Sequence, residues 1–474
     1  MPVSDWRHPG NPGAARAGTS SGHEGGNVLV TTVAEGSDMK IRVDRDVLAE
    51  ALAWVARALP TRPVVPVLSG LRLDAGASLT LSCFDYEVSA TAQIEAEVGE
   101  PGTVIVPGRL LAEITRSLPA LAVEITTDAD VVNLACGSAE FSLVALPAEE
   151  YPELPAPPPL AGTVDGGVLG AAISQVVAAA SRDDTLPMLT GVCLDIDGAT
   201  LTLAATDRYR LAVREMAWEP VQPGLRAVAL VPARTLADAA RAMTPGSPVS
   251  VAFGPGAPAK PAGEPRPAEG MIGFGIGGRR LTTRLIGGEF IRYRSRFPTE
   301  FGCRADVPAG PFTEAVRRVS LVADRASPVR LTFGPGRVQI EAQTEGRARA
   351  VETVPADFRG EEPVIAFNPH YLLDGLAAAA VPGQARPHAA DADDAAAGSG
   401  GASGDASGPG TGGRGAGGPG PADPGLLRIE FTSPAKPALI TRVSPADGQG
   451  DPDADQEQPE FRYLVVPLRA TAHA

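Results

Sequence analysis

Histidine is the side chain best suited to acid–base chemistry near neutral pH, and this chain has few of them. Of its five histidines, four fall in predicted tails or low-complexity sequence, namely His8, His23, His388 and His473. His370 stands at the start of a predicted helix and has no sequence partner for a catalytic pair. We therefore interpret His370 as a histidine on a helix surface.

Two other short motifs contain residue types that bind phosphate or metal. The run Gly273–Gly278 is rich in glycine, but it leads into a strand-like run, whereas a dinucleotide-binding loop opens a helix. Asp183 and Asp184 are adjacent, yet the sequence pattern places no further carboxylate beside them to complete a cation site. We interpret this pair as a solvated turn. The sequence therefore predicts neither a metal site nor a cofactor.

The cysteines also argue against a metal site. They stand far apart without a Cys-x-x-Cys pair, at Cys83, Cys136, Cys193 and Cys303. This spacing disfavours zinc and a disulfide framework, so we predict four small buried residues. No stretch approaches the roughly 20 apolar residues that a membrane helix needs. Residues 1–38 lack the apolar centre of a secretory signal, and we expect a cytoplasmic protein.

Arginines are the more suggestive feature. The formal net charge of −15 disfavours indiscriminate adhesion to nucleic acid. Arginines nevertheless recur on or beside the predicted helices, at Arg57, Arg109, Arg116, Arg182, Arg234, Arg241, Arg317 and Arg318. If these helices line one surface, the arginines could face phosphates. Carboxylates such as Glu113 and Asp238 offset several of them, so a solvated face of mixed charge is an equally open interpretation.

A repeated unit would have to position these side chains. Three similar segments each follow a β-rich run and open a helix: Val106–Leu111, Val231–Leu236 and Phe367–Leu372. The apolar pattern predicts two helix-plus-strands halves around each segment, and hence six similar units. Asp44 is the predicted cap of the first helix. Further helices are expected at 109–118, 168–181, 312–322 and 369–380, and one more opens at Pro232.

The length of 474 residues has room for about three domains. We predict domains at 39–159, 160–303 and 304–474, preceded by a disordered extension at 1–38. Three segments interrupt the pattern: a mobile loop at 255–270, a low-complexity insertion at 383–425 and an acidic loop at 444–460. None of them can bury enough apolar surface to offset the entropy of ordering it.

Several strings together resemble one known family. They are Arg62–Leu68, Phe141–Leu143 followed by Leu146–Pro152, Ala205–Ala212 and Tyr463–Arg469. In this order they resemble the bacterial sliding clamp, the beta subunit of DNA polymerase III. Residues 367–376 and 431–440 are similar to the high-GC Gram-positive version. The resemblance covers essentially Met39 to Arg469.

The resemblance implies an α+β fold of three tandem DNA-clamp domains, each made of two β-α-β-β-β units. Two such subunits would close head to tail as a homodimeric ring with helices inside and sheets outside. The chain would then be a non-catalytic, nucleoid-associated processivity subunit that encircles duplex DNA without sequence specificity and tethers the replicative polymerase. By family position Arg62 and Arg234 would face DNA, and the helix pattern adds Arg109 and Arg116.

The resemblance also implies two contact surfaces. The ring seam would join the strand around Phe141 and Leu143 of one subunit to the helix around Leu321 and Val322 of the other. A cleft between the second and third domains would capture peptides of the DNA polymerase III alpha subunit, the clamp loader and other clamp-binding proteins. Its predicted residues are Leu189, Thr206, Arg208, Tyr209, Arg210, Leu211, Ile291, Arg296, Leu464, Val465, Val466 and Pro467.

Two departures from the family pattern keep other interpretations open. The family usually has Phe-Pro-x-Tyr where this chain has Phe290-Ile291-Arg292-Tyr293, and Arg296 replaces an apolar residue. A charge there would intrude on the pocket and weaken an apolar peptide. A clamp paralogue with altered partners is therefore one alternative. An enzyme on the repeated scaffold is another, and the missing catalytic constellations argue against it.

Overall fold

A computed structural model describes residues 39–254, 270–323, 327–344, 346–382, 425–443 and 459–468. The predicted extension at 1–38 lies outside these ranges. Nearly all of the predicted loops at 255–270, 383–425 and 444–460 also lie outside the described residues.

The first repeat contains nine strands and two α-helices among its described residues. In chain order they are β1 (Lys40–Asp44), α1 (Arg45–Val55), β2 (Gly70–Ala75), β3 (Leu79–Phe84), β4 (Val88–Ile94), β5 (Glu97–Glu100), β6 (Gly102–Pro107), α2 (Gly108–Ser117), β7 (Ala122–Asp128), β8 (Val131–Cys136) and β9 (Ala139–Val144).

The second repeat has the same order of elements. They are β10 (Leu160–Asp165), α3 (Gly166–Val177), β11 (Gly191–Asp197), β12 (Thr200–Thr206), β13 (Arg210–Ala217), β14 (Glu219–Pro220), β15 (Arg226–Pro232), α4 (Ala233–Ala240), β16 (Pro248–Phe253), β17 (Met271–Ile276) and β18 (Arg279–Arg284).

The third repeat follows the pattern once more. Its elements are β19 (Cys303–Pro308), α5 (Ala309–Ser320), β20 (Val329–Gly334), β21 (Arg337–Thr344), β22 (Ala348–Pro355), β23 (Asp357–Arg359), β24 (Val364–Phe367), α6 (Pro369–Ala380), β25 (Leu426–Phe431), β26 (Ala438–Arg442) and β27 (Phe461–Val465). The six predicted β-α-β-β-β units are confirmed. Each repeat adds one short strand that the sequence analysis missed: β5, β14 and β23.

The helices begin where the sequence offers a stop to the preceding strand. Asp44 caps α1 as predicted, since its side chain accepts hydrogen bonds from the backbone N–H groups of Asp46 at 2.8 Å and Val47 at 3.1 Å. Pro107 and Pro232 each end a strand and stand at the N-cap of the next helix, because the ring fixes φ and removes the strand's donor. Pro308 does the same before α5.

Several predicted helix bounds were displaced by a few residues. The helix expected at 168–181 spans Gly166–Val177, because Asp165 caps its first turn by accepting from Val168 N at 3.0 Å. The helix expected at 312–322 spans Ala309–Ser320, so Leu321 and Val322 lie in the turn that follows. The helix expected to open at Pro232 begins at Ala233.

Four antiparallel sheets organise the strands, and two of them run across the junctions between repeats. The sheet at the first junction has nine strands in the order β6-β2-β3-β4-β18-β17-β16-β10-β14. The sheet at the second junction has nine strands in the order β15-β11-β12-β13-β27-β26-β25-β19-β23. The remaining sheets are β24-β20-β21-β22 in the third repeat and β9-β8-β7-β1-β5 in the first.

The main core lies between the sheets and the helices, with fully buried residues such as Leu52, Phe274 and Phe312. Two smaller apolar clusters lie on the opposite sheet faces, one near each junction. The four cysteines are free and buried, as predicted. The run Gly273–Gly278 forms the end of β17 and a hairpin turn with Gly277 at φ 59°, and it leads into the strand β18 as predicted.

Candidate functional site

The helix arginines fall into two groups. Three of them have carboxylate partners: Arg241 with Asp238, Arg317 with Glu314, and Arg318 with Glu352. In contrast, Arg62, Arg116 and Arg234 are exposed and form no ion pair among the described residues. Arg109 is also exposed, but its guanidinium donates to the carbonyl oxygen of Leu59 at 2.8 Å. Arg57 and Arg182 are likewise exposed and form no ion pair among the described residues. Exposed arginines without a carboxylate partner are the better phosphate contacts.

The predicted cleft is built on the face of the second junction sheet that points away from the helices. Across the boundary between repeats, Leu211 on β13 pairs with Leu464 on β27, and Leu464 pairs in turn with Leu439 on β26. All three are almost fully buried. They belong to one apolar cluster with Cys193, Val213 and Leu230. This cluster is the floor of the candidate groove.

The connector at 286–301 covers one side of that floor. Phe290, Ile291 and Phe297 pack partly buried against the cluster. The Tyr293 hydroxyl donates to Asp195 at 2.8 Å, and Arg294 forms an ion pair with the same carboxylate at 2.8 Å. Burial, followed by the charge of Asp195, raises the pKa of Tyr293. The connector is thus anchored to β11 beside the floor.

Arg296 lies in this connector and is exposed. Its neighbour Phe297 packs partly buried against the apolar cluster and is covered by the Arg462 guanidinium, 4.6 Å from the ring centroid. The exposed side chain of Arg296 therefore stands beside a residue of the floor and is not buried in it.

Half-exposed apolar side chains line the open side of the groove. They are Leu186, Met188, Tyr209, Val466 and Leu468. The Val466 backbone N–H donates to the Tyr209 carbonyl at 2.8 Å, so the two lie side by side across the repeat boundary. Leu189 and Thr206 are buried next to them, and Pro467 is half-buried. Exposed apolar surface with a buried floor is the usual chemistry of a peptide-binding groove.

Two predicted cleft residues turn away from the groove. Val465 is fully buried in the main core, because successive residues of a strand face opposite sides of a sheet and Leu464 faces the groove. Arg210 also points towards the helices. It forms ion pairs with Asp207 at 2.9 Å and with Asp374 of α6 at 2.5 Å.

Arg210 bridges the second and third repeats. Its guanidinium lies 4.6 Å from the ring centroid of Tyr371 on α6, and Tyr371 stacks on Tyr209 at 5.9 Å. Burial alone would lower the pKa of Arg210, but Tyr463, Asp374 and Asp207 more than offset it and hold that pKa above its usual range. Arg210 is therefore a positioning residue that orients Tyr209. The sequence analysis missed Tyr371 and Asp374, whose only signal was their spacing of three on a predicted helix.

The predicted seam residues lie at two outer sheet edges. Phe141 is 37% exposed on β9, and Leu143 of the same strand is buried in the main core. Leu321 is 81% exposed directly after α5, and Val322 is half-buried. In the described chain β9 and β22 each pair with a strand on one side only. These two edges are available for pairing with another chain.

Three tandem repeats of this strand order, with helices on one sheet face and continuous sheets on the other, define the DNA-clamp class. Family models of the DNA polymerase III beta subunit match the N-terminal domain at 39–155, the central domain at 163–291 and the C-terminal domain at 294–383. The chain belongs to the family of DNA polymerase III beta subunits, the beta sliding clamps. Its function is that of a clamp for DNA polymerase processivity, and the family is non-catalytic.

Individual relatives agree with the family models. The chain is 46% identical over 434 residues to the beta sliding clamp of Streptomyces coelicolor, covering 91% of this chain and 99% of that one. It is 44% identical to the beta sliding clamp homolog GriR of Streptomyces muensis. That match covers 71% of this chain and 88% of GriR. A crystal structure of the Bacillus subtilis DNA polymerase sliding clamp has the same fold, with a TM-score of 0.72 at 23% identity. The match covers 91% of this chain and 100% of the Bacillus subtilis chain.

No helix in the described ranges is long and apolar enough to cross a membrane.

Proposed function

We propose that two copies of the chain close head to tail into a ring around duplex DNA. The observation that carries this proposal is the strand order. Each internal junction is a nine-stranded sheet made of four strands from one repeat and five from the next. The third repeat ends in a sheet of four strands and the first repeat in a sheet of five, with β22 and β9 at their free edges. Antiparallel pairing of β22 with β9 of a second copy would rebuild the same nine-stranded sheet.

The side chains at these edges support the same seam. Phe141 and Leu143 lie on the helix-facing side of β9, and Leu321 stands exposed at the end of α5. When β9 and β22 pair, these apolar side chains and Val322 would become buried in the interface. Arg349 on β22 is already paired with Glu341 of the neighbouring strand at 2.7 Å. The apolar groups therefore carry the argument for this seam.

The twelve helices of such a ring would face the DNA. Arg62, Arg116 and Arg234 would contact phosphates directly, with Arg109 contributing less because of its bond to Leu59. Contacts to phosphates carry no sequence information. Because the ring holds DNA by topology, each contact can be weak and salt-sensitive, which allows sliding.

The groove on the outer face would bind peptides of the DNA polymerase III alpha subunit, the clamp loader and other clamp-binding proteins. Leu211 and Leu464 would form its floor, with Tyr209 and Val466 beside them. We place this activity in the cytoplasm, at the nucleoid. The chain would serve there as a partner that holds enzymes on DNA and would catalyse no reaction itself.

The ring is tested by size-exclusion chromatography with light scattering and by retention on nicked circular DNA. We expect a dimer at micromolar concentration, and a complex that resists dilution until the DNA is linearised. A stable monomer at that concentration contradicts the ring.

The DNA face is tested by Arg62→Ala, Arg116→Ala and Arg234→Ala. Each should weaken retention equally on every DNA sequence and flatten its dependence on salt. Arg241→Ala is the matched control at the C-cap of the helix that carries Arg234, because Arg241 is already paired with Asp238. Equal losses in Arg234→Ala and Arg241→Ala would contradict a direct role for Arg234.

A clamp paralogue with altered partners is the second candidate, favoured by Arg296 in the connector and by the similar identities to a clamp and to a clamp homolog. Such a protein would form the ring but bind no peptide of the polymerase alpha subunit. Pull-down with that subunit separates the two candidates.

A further inference from the structure

One tight turn occurs in equivalent form in the first two repeats. In the second repeat, the Asp207 carboxylate accepts from the N–H groups of Tyr209 at 3.0 Å and Arg210 at 3.1 Å. In the first, Asp85 accepts in the same way from Glu87 at 3.0 Å and Val88 at 2.7 Å. The residue after each aspartate has a positive φ.

The residue at that left-handed position differs between repeats. It is Arg208 with φ 79° in the second repeat and Tyr86 with φ 73° in the first. The turn between β21 and β22 of the third repeat has Gly346 with φ 69°. Left-handed backbone is unfavourable for a residue with a Cβ and is free of that penalty for glycine. Strained backbone of this kind is concentrated at functional sites. Arg208 is strained at the edge of the candidate groove.

A second exposed arginine lies in the connector beside the groove floor. Arg296 is exposed in the connector, next to Phe297, which packs on the groove floor. The other connector arginine described above, Arg294, is already engaged by Asp195. Neither Arg208 nor Arg296 forms an ion pair within the part of the chain that the structure describes.

The acidic residues around the turn leave the Arg208 charge available. Asp207 is held by Arg210 and by the turn itself. The exposed Asp183 is close enough to feel the charge of Arg208. Its pKa is lowered mainly by hydrogen bonds from Thr185, and to a smaller extent by the charge of Arg208. The charge of Arg208 therefore acts on Asp183 through space, and the two form no ion pair among the described residues.

We infer that the groove selects a peptide that carries acidic residues beside its apolar anchors, with Arg208 and Arg296 as the residues that read the acidic charge. This inference rests on the proposed peptide-binding function of the groove. The chain as a whole has a net charge of −15, so its long-range field does not favour an acidic ligand. Local cations beside an apolar floor supply the complementarity to an acidic ligand that the net charge of the chain does not supply.

The test compares two synthetic fluorescein-labelled peptides by fluorescence polarisation. Both carry two leucines and a phenylalanine as anchors. One is flanked by aspartate and glutamate, and the other by asparagine and glutamine. Exposed ion pairs contribute modestly, so we expect the acidic peptide to bind the parent protein roughly three- to tenfold more tightly.

The variants Arg208→Gly and Arg296→Leu should each reduce this preference by about two- to threefold, with little change for the neutral peptide. Arg208→Gly suits the backbone better than arginine does, so its thermal midpoint should not fall and misfolding cannot mimic the result. Tyr86→Gly relieves the same strain in the first repeat and should leave both affinities unchanged.

Each outcome decides a separate point. Equal binding of the two peptides overturns the inference while the groove stands. Binding of neither peptide overturns the groove itself, and with it the inference. If Arg208→Gly or Arg296→Leu leaves the peptide preference intact but weakens retention on DNA, these arginines contact DNA phosphates and the inference is wrong.

Discussion

The two internal junctions have the same backbone and different surfaces. At the second junction the Val466 N–H donates to the Tyr209 carbonyl at 2.8 Å, and at the first the Arg284 N–H donates to the Glu87 carbonyl at 2.9 Å. The strand pair Leu211 and Leu464 at the second junction corresponds to Ser89 and Thr282 at the first. The neighbour of that pair is Leu439 in one case and Gly273 in the other.

This difference separates what joins the domains from what binds a ligand. Backbone hydrogen bonds join the sheets at both junctions, so they need no particular side chain. A leucine floor with half-exposed Tyr209 and Val466 occurs at the second junction, whereas the first has small polar groups and the charges of Glu87 and Arg284 there. Because apolar anchors supply most of the affinity of such grooves, we expect peptide binding at the second junction.

The largest expected effect concerns the third junction, which would form between chains. Replacing both Leu321 and Val322 with glutamate would place charges in the seam between the two chains. Unlike the internal junctions, this seam is not also joined by the polypeptide chain. Buried charges without partners cost about 3 to 5 kcal/mol, enough to convert the dimer to a monomer at micromolar concentration. Light scattering measures the mass. Val64→Glu is the control, because Val64 is 87% exposed and lies away from both edges. An unchanged dimer would place the seam elsewhere.

A smaller effect is expected at the groove floor. Leu464→Ala removes a side chain that is 4% exposed, and such truncations cost about 3 kcal/mol of stability. It should also weaken an apolar peptide roughly tenfold. The matched change Thr282→Ala at the first junction should lower stability by about 1 kcal/mol or less and leave peptide affinity unchanged. Denaturant midpoints and fluorescence polarisation report the two quantities. A loss of peptide binding in Thr282→Ala would break the distinction between the junctions.

The smallest expected effect is the pH dependence of stability that a buried thiol causes, and it should be equal on the two faces of the sheets. Burial raises the pKa of Cys83, under the helices, and of Cys193, in the groove cluster, to about 12 in each case. A folded-state pKa above the unfolded value of about 9 gives stability that is present below pH 9 and lost as the pH rises towards 12. Each thiol should contribute a slope of about 1.4 kcal/mol per pH unit in that window.

Cys83→Val and Cys193→Val should therefore each flatten the decline of the thermal midpoint between pH 9 and 10.5. Calorimetry over that range measures the slope. Parallel slopes in a variant and the parent would show that the thiol titrates normally and that the site opens to water.

The sequence predicts the repeated units well because their signals are local. Asp44 caps a helix by bonding to residues two and three positions ahead, and Pro107 and Pro232 stop a strand wherever they occur. Helix ends were less predictable. Leu321 and Val322 continue the apolar period of α5, yet they lie in a turn, because the end of a helix depends on contacts beyond its own sequence.

The residues of the groove floor could be predicted from the sequence. The orientations and contacts of the residues around the floor could not. Leu211 and Leu464 come from resembling strings, but Val465 from the same string faces the core, as the alternation along a strand requires. The contact of Arg210 with Asp374 joins residues 164 positions apart, and no local pattern encodes such a pair. Arg296 was expected on the rim of the groove, with a charge that intrudes on the pocket. In the structure Arg296 is exposed, and its neighbour Phe297 packs on the floor.

The bridge from Arg210 to Asp374 and Tyr371 has a consequence for how such sequences can diverge. A mutation of Asp374 would leave a largely buried guanidinium with one carboxylate, and a mutation of Arg210 would release Tyr209 from its place beside the groove. Lineages should therefore change these positions together or keep both. A gene that acquired a foreign third domain by recombination would inherit a mismatched pair, so crossovers between these two positions should be rare among surviving descendants.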